Sequence, residues 1–361
     1  MKKTVCLICC LLMLFGCEKK TSDDKDVVKI GVSFPLTGSF ADTSLSAKEA
    51  LMMALEKWQK KGTKYHYELY FEDDSSMPQK AALNAQNLIK IKGVRAIISL
   101  FGITDKVIDD IAEQNNVISL SCAYGKIKVP TYGFNNCVQN EDVAEILINQ
   151  LKKENIKKVA LVMASTNVSL TVGDYFNERL LKEGFEVVAY EKYNMDTRDM
   201  RLSILKMEEK NPDYYLTFAT APLTDIFVKQ LKETIGKRNV ASFGSFPEMD
   251  PSLFYLIEGL WTVYTIAGSD KFEKEFKTKT HHHLKSCAAN SYDNLDMLIW
   301  AFENTESQNG KMPDNFTIIN KIKHLKTWQG ATGNLYIQDG VAHPKADLRM
   351  YENGKWVKIE E

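Results

Sequence analysis

Ile30-Gly31-Val32-Ser33-Phe34-Pro35-Leu36-Thr37-Gly38-Ser39-Phe40-Ala41 passes from an apolar run into a loop of Pro, Thr, Gly and Ser, and a helix-like stretch follows at once. The strand reads over 28–34. The helix reads over 43–58, where Ala47, Ala50, Leu51, Ala54 and Leu55 fall on one face at helical spacing. Outward from there, a second strand is expected at 65–71, a helix over 78–91 with Ala82, Ala85 and Ile89 facing inward, and short apolar strands at 95–100 and 117–120. Strands and helices that alternate in this way argue for a parallel sheet covered by helices.

The pattern then begins again, with strands at 158–163, 185–190, 213–218 and 240–243 separated by helices such as 142–151 and 223–235. Leu223, Phe227, Leu231 and Ile235 form an apolar stripe, and Gly184 and Gly236 stand where helices should stop. A chain of 361 residues exceeds the size at which one core usually divides, so the expected fold is α/β with two Rossmann-like lobes, each with a parallel-sheet core. After Gly259-Leu260-Trp261 the order changes to a helix-rich stretch over 270–304 and a strand-rich tail over 333–359. Asp339-Gly340 and Asn353-Gly354 are hairpin-turn dipeptides, so the tail reads as antiparallel strands docked on a sheet already made.

At the start of the chain Lys2 and Lys3 precede an apolar run over 5–15 that ends in Leu14-Phe15-Gly16-Cys17. The run is shorter than the roughly 20 residues needed to span a bilayer. Residues 1–16 read as a signal peptide, and the ending resembles the bacterial lipoprotein box, which makes Cys17 the expected lipidated residue. Residues 17–26 are then a polar tether. The expected location is extracytoplasmic, on a bacterial membrane at its periplasmic face or at the cell surface. Of seven cysteines, Cys6, Cys9 and Cys10 leave with the signal and Cys17 takes the lipid. One bridge is open to the remaining three, with Cys122–Cys137 the expected pairing and Cys287 left over. A net charge of −1 with scattered Lys and Glu carries no footprint for nucleic acid.

In open α/β sheets a ligand lies beyond the carboxyl ends of the strands, and two facing sheets make a cleft there. The loops concerned are 35–43, 101–105, 121–124, 164–169, 219–222 and 244–248, rich in Ser, Thr, Gly and aromatics. Hydroxyls and free backbone N–H groups at helix starts suit a small polar solute. Thr104 and Thr220 read equally as ligand contacts and as helix caps. Phe101 and Phe246 read equally as ligand contacts and as core.

The stretch from Ile30 to Ala41 resembles the opening of the branched-chain amino acid (Leu/Ile/Val) type of periplasmic binding protein. The likeness continues through Asp73-Asp74, Asn211-Pro212-Asp213, Tyr292-Asp293 and Gly330-Ala331-Thr332-Gly333. The resemblance implies a type I architecture of two lobes joined by three crossovers, with 27–141 and 267–328 in lobe 1 and 142–266 and 329–361 in lobe 2. It also implies a hinge that closes on a ligand and an ABC-type permease of the inner membrane that receives it. Carried over position by position, it implies ligand contacts at Thr43, Ile103, Thr104, Ser121, Cys122 and Ala123, then at Ser169, Thr220 and Phe246 or Glu248. The sequence departs from the family at several of these places. Ile103 stands where a serine commonly follows the third strand, Ser169-Leu170 replace a usual Tyr-Gly, Phe246 aligns with the acidic group that holds an α-ammonium, and Ser44 and Ala50 replace glycines of the first helix. The implied function is a monomeric solute-binding lipoprotein with no cofactor, whose solute is an amino acid or a related amide or carboxylate. The rival reading is a ligand sensor, or a regulator of an envelope enzyme, uncoupled from transport.

The sequence contains no nucleophile elbow, P-loop, HExxH pair or dinucleotide glycine fingerprint, so an enzyme is not expected. Asp73 and Asp74 are adjacent strand residues pointing to opposite faces, and a solvated or helix-capping role is expected of them. His281-His282-His283 would splay around a helix, since same-face neighbours are three or four residues apart. They are expected on exposed surface and not around a metal, and His324 and His343 are isolated.

Overall fold

The computed structural model describes residues 25–359 apart from 126–127, 220, 237–238, 266–267 and 308–309. The expected signal peptide, Cys17 and Thr220 therefore lie outside the described residues. The first lobe opens with β1 (Val27–Phe34), α1 (Ala41–Lys61), β2 (His66–Asp73), α2 (Pro78–Asn87), β3 (Ala96–Leu100), α3 (Gly102–Gln114), β4 (Ile118–Cys122) and β5 (Gly133–Asn136). The chain then builds α4 (Asn140–Lys153), β6 (Lys158–Ala164), α5 (Asn167–Lys182), β7 (Glu186–Tyr193), α6 (Arg201–Glu208), β8 (Tyr214–Phe218), α7 (Leu223–Ile235), β9 (Val240–Phe243) and β10 (Trp261–Tyr264). It returns through α8 (Asp270–Thr280), α9 (Ala288–Glu303), α10 (Asn315–Lys323), β11 (Thr327–Gly330), β12 (Gly333–Gln338) and β13 (Val341–His343), and ends in β14 (Asp347–Glu352) and β15 (Lys355–Lys358).

Two mixed sheets with parallel cores result, in the orders β2-β1-β3-β4-β5-β13-β12-β11 and β7-β6-β8-β9-β10-β14-β15. The chain passes between them three times, between β5 and α4, between β10 and α8, and between β13 and β14. This is the two-lobe α/β fold the sequence implies. Both turn dipeptides of the tail take positive φ, Asp339 at 51° and Gly340 at 81°, Asn353 at 52° and Gly354 at 79°, as tight hairpins require.

One boundary moves. The expected start of the second lobe's tail at residue 329 is displaced, because β11, β12 and β13 extend the first sheet and only β14 and β15 join the second. Val341 and Ala342 run parallel to Asn135 and Asn136, so the first sheet gains its edge from the tail. The inward face of α2 also shifts. Ala81 and Ala85 are fully buried together with Leu88, while Ala82 and Ile89 are only partly so. Leu88 begins a π-turn that closes the helix, and its side chain seats on Gly31, where a Cβ would meet Leu88 Cδ1 at 2.8 Å. The glycine of the opening signature is thus a packing requirement of β1.

Helix α9 runs along the inner side of the first sheet against α1 and buries nearly its whole circumference. Its Asp293, fully buried, accepts hydrogen bonds from Ala331 N (2.6 Å), Thr332 N (2.9 Å) and Thr332 Oγ1 (2.5 Å). A Cβ at Gly330 would run into the same carboxylate. Tyr292-Asp293 and Gly330–Gly333 are therefore two halves of one structural clasp, which ties the tail to the central helix.

Candidate functional site

Beyond the carboxyl ends of β1, β3 and β4 the chain meets the second lobe: Thr43 reaches Glu248, Gly102 lies against Val168, and Tyr124 packs on Phe218. Asp73 shapes the first of these loops. Its Oδ1 accepts from Leu36 N (2.8 Å), Thr37 N (3.3 Å) and Ser75 N (2.9 Å), and its Oδ2 from Thr37 Oγ1 (2.6 Å). Burial raises this carboxyl, but the donors of Thr37, Ser75 and Leu36 outweigh it and hold the group down at about 2. Asp74 is buried, accepts from Ser33 Oγ (3.1 Å) and Ser76 N (2.8 Å), and is pushed upward by desolvation. The two carboxylates are turn-makers. Of the solvated or helix-capping role expected of them, the buried Asp74 departs from the solvated part, while Asp73 stays partly exposed.

The predicted ligand residues of the first lobe are mostly occupied by their own chain. Thr104 Oγ1 donates to Leu100 O (3.2 Å) one turn back. Ser121 Oγ donates to Asn135 Oδ1 (3.1 Å), and the Asn135 amide also accepts from Ala123 N and donates to Ala123 O, both at 2.9 Å. This side chain serves as one further rung between β4 and β5. Phe101 takes a positive φ of 65° where β3 turns into α3, and its ring packs on Phe40 at 4.9 Å. Ile103 lies in the first turn of α3. In the second lobe Ser169 Oγ donates to Phe218 O (2.7 Å), while its N–H is capped by Thr166 Oγ1 (3.2 Å). Phe246 is fully buried in that lobe's core, which decides for packing. Glu248 reaches across to the first lobe. It accepts from Thr43 Oγ1 (3.3 Å) and from Ser286 N (3.1 Å) and Oγ (2.5 Å).

Cysteine pairing differs from expectation. Cys122, at the end of β4, is bonded to Cys287, with Cα atoms 5.8 Å apart, and Cys137 remains a buried thiol. The expected Cys122–Cys137 bridge is replaced because the start of α9 packs directly under the tip of β4, a neighbour that a separation of 165 residues conceals. The three histidines lie beyond the end of α8 and not on a helix, and His282 Nδ1 meets Glu49 Oε1 at 2.9 Å on exposed surface.

Between the first turns of α3 and α5, beside the loop after β4, lies a cavity of 600 Å³ whose walls include Gly102, Lys106, Asp110, Ala123, Tyr124 and Lys128 from the first lobe and Asn140, Val168 and Thr171 from the second. Ala123 is the one predicted contact among them. Tyr124 Oη and Asn140 Oδ1 are buried with no hydrogen-bond partner among the described residues. Both atoms are closed off from the cavity as well as from solvent, so Tyr124 and Asn140 present their other atoms to it. Burial pushes the Tyr124 phenol well above its ordinary value, which keeps it a neutral donor. The Tyr124 ring stacks on Phe218 across the lobes at 5.3 Å, Phe218 on Phe243 at 5.2 Å, and Phe243 on Phe176 at 4.3 Å. The floor of the cleft is thus continuous with the second lobe's core. At its other wall the lobes nearly touch, and a Cβ on Gly102 would stand 3.3 Å from Val168 Cγ2. Tyr124 and Asn140 are missed by sequence reasoning, although Tyr124 ends the predicted 121–124 loop. Asn140 begins the helix after the first crossover, and its role follows only from lobe closure. A second cavity of 570 Å³ lies away from the strand tips, where Lys57 and Lys60 are already paired with Asp296 and Glu56.

Comparison with known proteins agrees with this geometry. A leucine-binding protein LivK from Thermotoga maritima superposes with a TM-score of 0.79 at 21% identity, over 92% of this chain and 98% of that one. A solute-binding protein of an ABC transporter from Rhodopseudomonas palustris BisB5, in complex with 3,4-dihydroxybenzoic acid, gives 0.80 at 21% identity, over 93% and 97%. The branched-chain amino acid transporter substrate-binding protein LivJ from Streptococcus pneumoniae, in complex with isoleucine, gives 0.79 at 19% identity, over 92% and 100%. No curated relative matches by sequence. The family model described as periplasmic binding protein matches residues 27–355. With nearly the whole folded chain covered, with two sheets whose strand tips face a common cleft and a family signature at β1, this chain belongs to the periplasmic binding protein family.

Proposed function

We propose that this protein is an extracytoplasmic solute-binding lipoprotein, anchored through Cys17, that captures a small polar solute between its lobes and passes it to an ABC-type permease. One observation carries the reading: the loops after β3 and β4 meet the start of α5 and the end of β8 across the lobes, Gly102 against Val168 and Tyr124 against Phe218, with a cavity of 600 Å³ beside them. Lys106, Asp110, Lys128 and Thr171 in the cavity wall suit a small solute with polar or charged ends, and Tyr124 and Val168 offer it an apolar face. Amino acids and related amides or carboxylates meet this chemistry, and so do the aromatic acids that structural neighbours hold. Binding and release without covalent change is the whole of the proposed activity.

One observation favours the second reading, a ligand sensor or envelope-enzyme regulator. The hydroxyls of Thr104, Ser121 and Ser169 and the carboxylate of Glu248 are satisfied by the protein itself. Thermal melting in the presence of amino acids, their amides and hydroxybenzoates separates solute capture from regulation without a solute. A bound solute at about 100 times its Kd adds roughly 2.7 kcal/mol, a rise of several degrees for a chain of this size. A flat response across the panel favours regulation.

A further inference from the structure

The three cysteine sulfurs of the folded chain lie within 4.8 Å of one another, all buried, although only two of them are bonded. Cys122 ends β4 and Cys137 follows the neighbouring strand β5, which pairs with β4 at Ser121 and Asn135. Cys137 also stands where the chain leaves the first lobe for α4, on the first crossover. Cys287 is the residue at the amino end of α9, a helix of 16 residues.

We propose that these sulfurs form a thiol–disulfide exchange site, in which the bridge moves from Cys122–Cys287 to Cys122–Cys137. The Cys137 thiol gives up its proton and its sulfur bonds to Cys122 Sγ. The Cys122–Cys287 bond breaks, its electron pair passes to Cys287 Sγ, and that sulfur takes up a proton. One disulfide and one thiol stand on each side, so no outside oxidant or reductant is consumed. Attack falls on Cys122 and not on Cys287 because the sulfur then expelled lies at the amino end of α9, where the helix dipole favours a thiolate, and a more stable leaving thiolate leaves faster. Desolvation holds the Cys137 thiol up at about 12, so the exchange is slow at neutral pH and accelerates with alkali.

The two bridges differ in what they restrain. Cys122–Cys287 ties the cleft loop after β4 to α9 within the first lobe, whereas Cys122–Cys137 ties that loop to the crossover on which the lobes turn. The site is therefore a redox-neutral means of stiffening the hinge, and it stands independently of the identity of any solute.

The test is bridge mapping on the oxidised, exported protein, held dilute and native at pH 9 with no added thiol. Samples are quenched with acid, alkylated in denaturant and digested. The alkyl label is expected first on Cys137 alone, then also on Cys287 in on the order of one molecule in ten or more, with a matching Cys122–Cys137 peptide. The Cys287→Ser protein is expected to carry the Cys122–Cys137 bridge after oxidation by glutathione disulfide. Label that stays on Cys137 throughout, or a Cys287→Ser protein whose two remaining thiols stay reduced, overturns the proposal.

Discussion

Asp293→Ala is expected to lower the unfolding free energy by about 3–5 kcal/mol, since it strands the N–H groups of Ala331 and Thr332 and the Thr332 hydroxyl in a buried site, at roughly 1–3 kcal/mol for each unsatisfied group. The clasp joins the central helix to the segment that becomes β12, so its loss frees the edge of the first sheet as well. Asp293→Asn keeps one acceptor oxygen, for Thr332, but turns its NH2 toward the Ala331 N–H, so it is expected to recover only part of that loss. The same pair reports on charge. Burial raises the Asp293 carboxyl from 3.8 to about 7, against the pull of Thr332 and Ala331. The folded protein thus holds this proton more tightly than the unfolded chain does. The contribution is complete below pH 3.8 and is lost as pH rises through about 7. Urea midpoints between pH 5 and 8 should fall more steeply for the native sequence than for Asp293→Asn. Parallel slopes would remove the buried carboxyl from the account.

Phe243→Ala is the second large effect. The ring is fully buried, stacked on Phe176 at 4.3 Å and lying nearly parallel to Phe218 at an interplanar angle of 3°. Its removal leaves a cavity in the second lobe and is expected to cost about 3–5 kcal/mol. Because Phe218 supports Tyr124 across the lobes, the variant should also bind solute more weakly at temperatures where it remains folded. Chemical denaturation followed by far-ultraviolet circular dichroism measures the first effect. A loss below about 0.5 kcal/mol, the scale of an ordinary surface change, would mean that the four rings do not act as a column.

The repeating strand and helix pattern was legible because each element buries one face, and burial follows the period of the backbone. β9 and α7 occupy the expected 240–243 and 223–235 to the residue. β5 was not legible. Gly133-Phe134-Asn135-Asn136 has no strand pattern, and the segment is extended because β4 and β13 pair with it from either side. The tail illustrates a related blindness: Asp339-Gly340 announces a hairpin, but nothing in a hairpin says which sheet it will extend. The candidate site was legible only in its outline. The right loops converge, yet Asn135 uses the polar groups of Ser121 and Ala123, and Thr43 and Ser286 take up Glu248. Such contacts join residues far apart in the chain, and a single sequence carries no record of them.

The central claim is that solute sits between the strand tips, where Gly102 allows the lobes to approach Val168. Calorimetric titration of the native protein and of Gly102→Leu, with whichever solute raises the melting temperature, tests it most directly. The account predicts one site of micromolar order, about −8 kcal/mol, in the native protein. It predicts no measurable heat in Gly102→Leu, whose side chain would run into Val168 and hold the lobes apart, while the unliganded variant still unfolds cooperatively. Equal affinity in the two proteins would place the solute elsewhere and contradict the claim.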